Sequence, residues 1–168
     1  MNKSINDLIS KLELKPHPEG GFFRETYRSN GEINKDSLDQ DYKGNRNYST
    51  CIYFLLTSDN FSAFHRIKQD EIWHFYDGSP INLHIISNIG VYTNHAIGID
   101  FQKGEVPQFV VPGGSWFAAE VVNQNDYSLI GCTVSPGFNF EDFELKSRND
   151  LIALFPDKEE IISRLTHH

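Results

Sequence analysis

The sequence predicts an all-β sandwich or barrel flanked by short helices at both ends. Three observations point there. From Tyr48 onward, short apolar runs recur, closed by turn signals such as Ser58-Asp59-Asn60, Asp77-Gly78-Ser79-Pro80, Pro112-Gly113-Gly114 and Asn123-Gln124-Asn125-Asp126. That rhythm belongs to sandwiches and barrels. The chain carries 13 Phe and 7 Tyr, which with its β-branched residues favours sheet. Helical periodicity is confined to the two ends.

Leu8, Ile9 and Leu12 lie at helical spacing and predict a helix over 6–14, with Ser4 or Asn6 as its cap. Pro16-His17-Pro18-Glu19-Gly20-Gly21 breaks it. Phe22–Arg28 follows as a strand that the two glycines leave free to enter the sheet. Residues 30–47 are polar and predict a long loop, of the kind that is often a lid or mobile. Strands are predicted at 49–57, 62–67, 71–76, 81–87, 94–98, 108–111, 116–122 and 128–134, and helices at 149–155 and 158–165 around Pro156. With no internal repeat and no linker, 1–168 reads as one domain.

Composition excludes several classes. The net charge is −8, so the basic footprint of a nucleic-acid binder is missing. No run of 18 apolar residues exists to span a membrane as a helix. Cys51 and Cys132 sit in apolar strand-like runs and read as buried free thiols. With no signal peptide visible, a cytoplasmic location is expected. No P-loop, dinucleotide fingerprint or nucleophilic cysteine arrangement is present.

The most informative stretch runs from Phe64 to Gly78. His65 is followed six residues later by Glu71, and Glu71 seven residues later by Gly78. Val111-Pro112-Gly113-Gly114-Ser115-Trp116-Phe117 comes further on. The pair resembles the two motifs of the cupin superfamily, H-x-H-x(3,4)-E-x(6)-G and P-x-G-x(2)-H. Ile67 stands at the second histidine position and Phe117 at the third. A closer likeness takes in 16–27, 52–56, His65-Arg66, 70–74 and Ser135-Pro136-Gly137-Phe138. In these the chain is similar to a cupin branch of unknown function, often called cupin family five. The resemblance implies a cupin-like jelly roll, a barrel-facing His65, Glu71 and Phe117, and an architecture like that of sugar-nucleotide epimerases. Fold-level analogy of that kind warrants little about chemistry.

The residues admit three functions. The first is a metal-dependent cupin oxygenase or isomerase, whose catalytic metal needs at least three protein ligands and an open position. His65 and Glu71 supply two, while Ile67 and Phe117 cannot coordinate. A tight metal is therefore not expected, and weak divalent binding through His65 and Glu71 stays open. The same two residues form a candidate catalytic acid–base pair for an isomerase or epimerase acting on a sugar, nucleotide or similar polar metabolite. The third reading is a ligand-binding module without chemistry. Arg24, Tyr53, Trp73, Trp116, Phe117 and Phe138 are the candidate ligand-binding residues, with Arg66 and Phe75 nearby. Strand alternation puts Glu71, Trp73 and Phe75 on one face and His74 on the other; it also turns Trp116 away from Phe117 unless a bend follows Gly113-Gly114. An exposed strand at 22–27 predicts a homodimer.

Overall fold

The predicted strands pair into two antiparallel sheets packed face to face. A computed structural model describes residues 5–167. Helix α1 (Ile5–Lys11) precedes β1 (Lys15–Pro16), β2 (Phe22–Arg28), β3 (Glu32–Ile33), β4 (Arg46–Asn47) and β5 (Thr50–Thr57). Then come β6 (Phe61–Arg66), β7 (Asp70–Gly78), β8 (Ile81–Ile86), β9 (Tyr92–Ile97) and β10 (Gln108–Val111). The chain closes with β11 (Trp116–Val121), β12 (Tyr127–Ser135), β13 (Glu144–Leu145), α2 (Arg148–Leu154) and α3 (Glu159–Arg164). Ser4, one of the predicted caps of the first helix, lies outside the described residues.

One sheet has the order β1-β2-β5-β12-β7-β10 and the other β13-β6-β11-β8-β9. From β5 onward the chain changes sheet at nearly every connection, which is the path of a jelly roll. Among the described residues every ladder between these strands is antiparallel, and an isolated parallel bridge joins Ile97 to Val106. Gly78 ends β7 at a φ of 96°, and a Cβ there would lie 2.2 Å from the Tyr127 carbonyl oxygen. Only glycine fits where the two strands close up this tightly.

Alternation sorts the side chains. Phe54, Leu56, Trp73, Leu83, Phe117 and Ile130 fill the space between the sheets. Phe64, Ile86, Trp116 and Ala118 face the other way and are covered by Leu151, Ile162 and Leu165 of the C-terminal helical segment. On the opposite outer face, Leu8 and Leu14 cover Leu55. Strands covered on both faces read as near-continuous apolar runs, which is why β5, β8 and β11 show little alternation in sequence. Among the described residues no helix is long and apolar enough to cross a membrane.

The stretch 30–47, expected as a long loop, also carries short regular elements. Its ends pair as a two-stranded ribbon, Glu32 opposite Asn47 and Ile33 opposite Arg46. Lys35–Ser37 forms a 3-10 turn capped by the Asn34 side chain. The stretch is anchored because Arg46 reaches inward to Asp142, with Nε–Oδ2 at 2.7 Å and Nη2–Oδ1 at 2.8 Å. Two-residue strands and a partner 96 residues away leave no local periodicity to read.

Candidate functional site

A cavity of about 260 Å³ opens between the sheets beneath the segment that follows β12. Its walls are largely aromatic and aliphatic, with Phe23, Phe54, Phe138, Phe140 and Phe143 among them. Its polar groups include His17, Glu19, His65, Glu71 and Cys132, with Glu25 and Arg28 also lining it. A mainly apolar chamber with a few convergent polar groups is the usual form of a small-molecule site.

A bulge in β6 aims His65 inward. Phe117 pairs with His65 and Ala119 with Ser62, so β6 carries one extra residue against β11. The displaced N–H groups are used elsewhere: Ala63 donates to the Glu19 carbonyl at 2.8 Å and Phe64 to the Leu165 carbonyl at 2.9 Å. The turn bearing Glu19 can press this close because of Gly20. There φ is 115°, and a Cβ would sit 2.1 Å from the Phe61 carbonyl oxygen.

Glu19 is thereby buried against His65. Its Oε2 lies 3.0 Å from His65 Nε2 and 3.3 Å from His17 Nδ1. Ser62 Oγ donates to Oε1 at 2.8 Å. Burial pushes this carboxyl up, but His65, His17 and Ser62 outweigh it and hold it below its ordinary range. Burial drives the His65 imidazole down further than Glu19 and the Ala63 carbonyl raise it. The Ala63 carbonyl, 2.7 Å from Nδ1, can only accept, so Nδ1 keeps its hydrogen. The proton that His65 exchanges is therefore the one on Nε2, facing Glu19.

Glu71 behaves differently. Burial first, and then the Glu19 charge, push its carboxyl up to about 7, against a smaller opposing pull from the Cys132 thiol, His17 and Trp73. The Trp73 indole N–H is buried beside it without a hydrogen bond of normal geometry. Near neutrality Glu71 exists as both acid and carboxylate, the condition a general acid–base needs.

The structure brings His65, Glu71 and Phe138 to the cavity, together with Ile67. Phe117 backs the imidazole, ring centroid to ring centroid 4.1 Å. Trp73 lies deeper, 6.2 Å from Phe54 and from Phe117, with Phe75 packed partly buried on the same core. Three predicted cavity residues lie elsewhere. Arg24 points to the outer face of its sheet, paired with Glu13 at 2.9 Å and 5.6 Å over the Tyr53 ring. Tyr53 accompanies it and meets Tyr76 edge-on. Trp116 is buried under the C-terminal helices, with Arg66 4.8 Å over its ring, and no bend after Gly114 turns it inward. The reason is alternation: Phe23 and Glu25 face in and Arg24 out, Ile52 and Phe54 in and Tyr53 out, Phe117 in and Trp116 out.

Sequence reasoning missed Glu19 and His17 as site residues: they read as part of a helix-breaking turn and of the stretch of family likeness, with no role attached. A His and a Glu two residues apart beside Gly-Gly was the available signal. It also missed Phe23, Phe140 and Phe143, and the Arg28–Glu25 pair at 2.7 Å.

Residues 6–146 match the family described as Cupin superfamily (DUF985). The chain belongs to the cupin superfamily. This cupin is 34% identical over 166 residues to an uncharacterized protein of Saccharomyces cerevisiae, a match covering 92% of this chain and 82% of that one. A hypothetical protein from Leishmania major has a TM-score of 0.90 at 34% identity, covering 99% of this chain and 100% of that one. A protein from Shewanella oneidensis has a TM-score of 0.87 at 40% identity, covering 98% of each. Oxalate decarboxylase from Bacillus subtilis shares the fold alone, with a TM-score of 0.54 at 16% identity over 94% of this chain and 38% of that one.

The cupin motifs imply a metal held by histidines and a glutamate, and the donor set of this cupin does not fit one. Ile67 and Phe117 occupy two ligand positions. His65 turns one ring nitrogen to the Ala63 carbonyl and the other to Glu19. Among the described residues no group of three or more His, Cys, Asp or Glu is arranged to hold a metal ion.

Proposed function

We propose that the cavity binds a small polar metabolite with an apolar body and exchanges a proton with it, as an isomerase or epimerase does. One observation carries the reading: Glu71, with a carboxyl pushed up to about 7, lines the same cavity as the His65–Glu19 pair. Glu71 takes or gives the proton at carbon, and His65, held between the Ala63 carbonyl and Glu19, fixes the Glu19 carboxylate beside it. The aromatic walls hold the ligand and keep water from the reacting carbon.

The test is solvent exchange. Incubated in D₂O with a panel of sugars, nucleosides and other cyclic metabolites, the protein should introduce deuterium at carbon in at least one, read by proton NMR. Glu71→Gln should slow that exchange by about 10²- to 10⁴-fold. A compound that binds without acquiring deuterium would favour the non-catalytic binding module instead.

We also infer a homodimer. The short β1 pairs with β2 only at Phe22 and Phe23, leaving the edge from Arg24 to Arg28 open among the described residues. Such edges invite strand pairing. Light scattering should give about twice the 19.3 kDa chain mass, and a stable monomer would count against it. The two free cysteines, Cys132 buried, suit a reducing compartment and support a cytoplasmic location.

A further inference from the structure

We propose that the cavity selects a ring compound whose protonated amine meets Glu71, and that it rejects phosphate esters. The inference rests on the reading of the cavity as a small-molecule site and narrows what that site takes. Three carboxyl side chains line the cavity: Glu19, Glu25 and Glu71. The arginine there, Arg28, is already committed. It donates to both Glu25 oxygens at 2.9 and 2.7 Å, to Asn47 Oδ1 at 2.8 Å and to the Phe138 carbonyl at 3.1 Å. His17 and His65 both turn toward Glu19. Among the described residues lining the cavity there is no lysine and no second arginine. A phosphate would meet carboxylates and no uncommitted guanidinium or ammonium group. Desolvating a dianion without a partner is costly.

An ammonium group meets the opposite situation. Glu71 is 8% exposed, and among the described residues the groups acting on it include no Lys or Arg. The groups facing it are Cys132 from β12, Glu19 and His17 from the turn before β2, and Trp73 from its own strand, with His65 of β6 held to Glu19. A ligand cation would give the buried carboxylate a charge-assisted partner and offset its repulsion from Glu19. Phe138, Phe140 and Phe143 line the cavity at steep angles to one another, 72° to 78°. Aromatic ring faces attract cations. The net charge of −8 raises the local concentration of cations further. Burial and Glu19 are also the two influences that push the Glu71 carboxyl up to about 7, so amine binding should be coupled to proton loss there.

Ligand-observed NMR titration with benzylamine, benzyl alcohol and phenyl phosphate separates the charge states on one ring. At about pH 8, benzylamine should bind at least about tenfold more tightly than benzyl alcohol, with phenyl phosphate weakest. Toward about pH 5.5, where Glu71 is protonated, the amine preference should shrink several-fold. Glu71→Gln should lose that preference, with circular dichroism reporting that it is folded; the wild-type comparison stands without the variant. Equal binding of amine and alcohol, or phenyl phosphate binding as tightly as benzylamine, would overturn the charge assignment and leave the cavity a small-molecule site. Binding by none of the three at millimolar concentration would sink both.

Discussion

Asp142→Ala should lower the unfolding free energy by about 3 kcal/mol and loosen the aromatic wall of the cavity. The Asp142 side chain has no solvent exposure and that of Arg46 is 2% exposed. Their two-point contact is reinforced by Gln69 Nε2 donating to Asp142 Oδ2 at 2.8 Å. Removing the carboxylate leaves a buried guanidinium without its main partner, and that uncompensated charge is the source of the loss. Arg46 retains Glu141 at 3.4 Å and the Gly44 and Asn45 carbonyls, which keeps the estimate at the lower end for buried pairs. Asp142 also lies between Phe140 and Phe143, so its release reaches the site. Urea denaturation gives the stability. Arg46→Met with Asp142→Leu should recover most of the loss, since an apolar pair leaves no orphaned charge. An Asp142→Ala variant within about 0.5 kcal/mol of wild type would mean that the pair does not hold this segment.

Glu71→Gln should stabilise the fold at alkaline pH while impairing the site. The Glu71 carboxyl moves from 4.5 to about 7 on folding. Between those values the folded chain retains a proton that the unfolded chain gives up. Stability contributed at this position is therefore complete below about 4.5 and declines as pH rises to about 7. Above that, the buried carboxylate costs the wild type about 3 kcal/mol. Glutamine carries no charge to bury, so the variant should melt higher at about pH 8 and show little gain near pH 4. Thermal melts of both proteins across that range give the difference directly. A gap that stays constant with pH would mean that Glu71 ionises normally in the fold. Stability gained with function lost is the usual mark of a strained functional group.

The legible parts of the fold were those written in local pattern. Strands such as β10 and β11 were read within a residue because turn signals and apolar runs bound them. The ribbon of β3 and β4 was not, since two-residue strands have no period and Arg46 finds Asp142 only in the folded chain. The same division runs through the site. Glu71 and His65 were found because a motif places them. Glu19 was missed because it stands in a turn that brings it to His65 from 46 residues away along the chain.

By itself, the sequence determined the sandwich class, the helical ends, the inward set of Glu71, Trp73 and Phe117, and the missing ligands at Ile67 and Phe117. The class, the helical ends and the face shared by Glu71 and Trp73 follow from periodicity, a local quantity; that this face and Phe117 look inward, and that Ile67 and Phe117 stand at ligand positions, is what the resemblance to the cupin motifs implies. Tertiary structure alone decided which carboxylate pairs with His65, that Glu71 is buried next to a second negative charge, and that Phe138, Phe140 and Phe143 close one cavity. It also decided that Trp116 lies under helices rather than over the cavity. Burial and electrostatic coupling depend on distances between segments remote in sequence, and only the packed chain sets those distances.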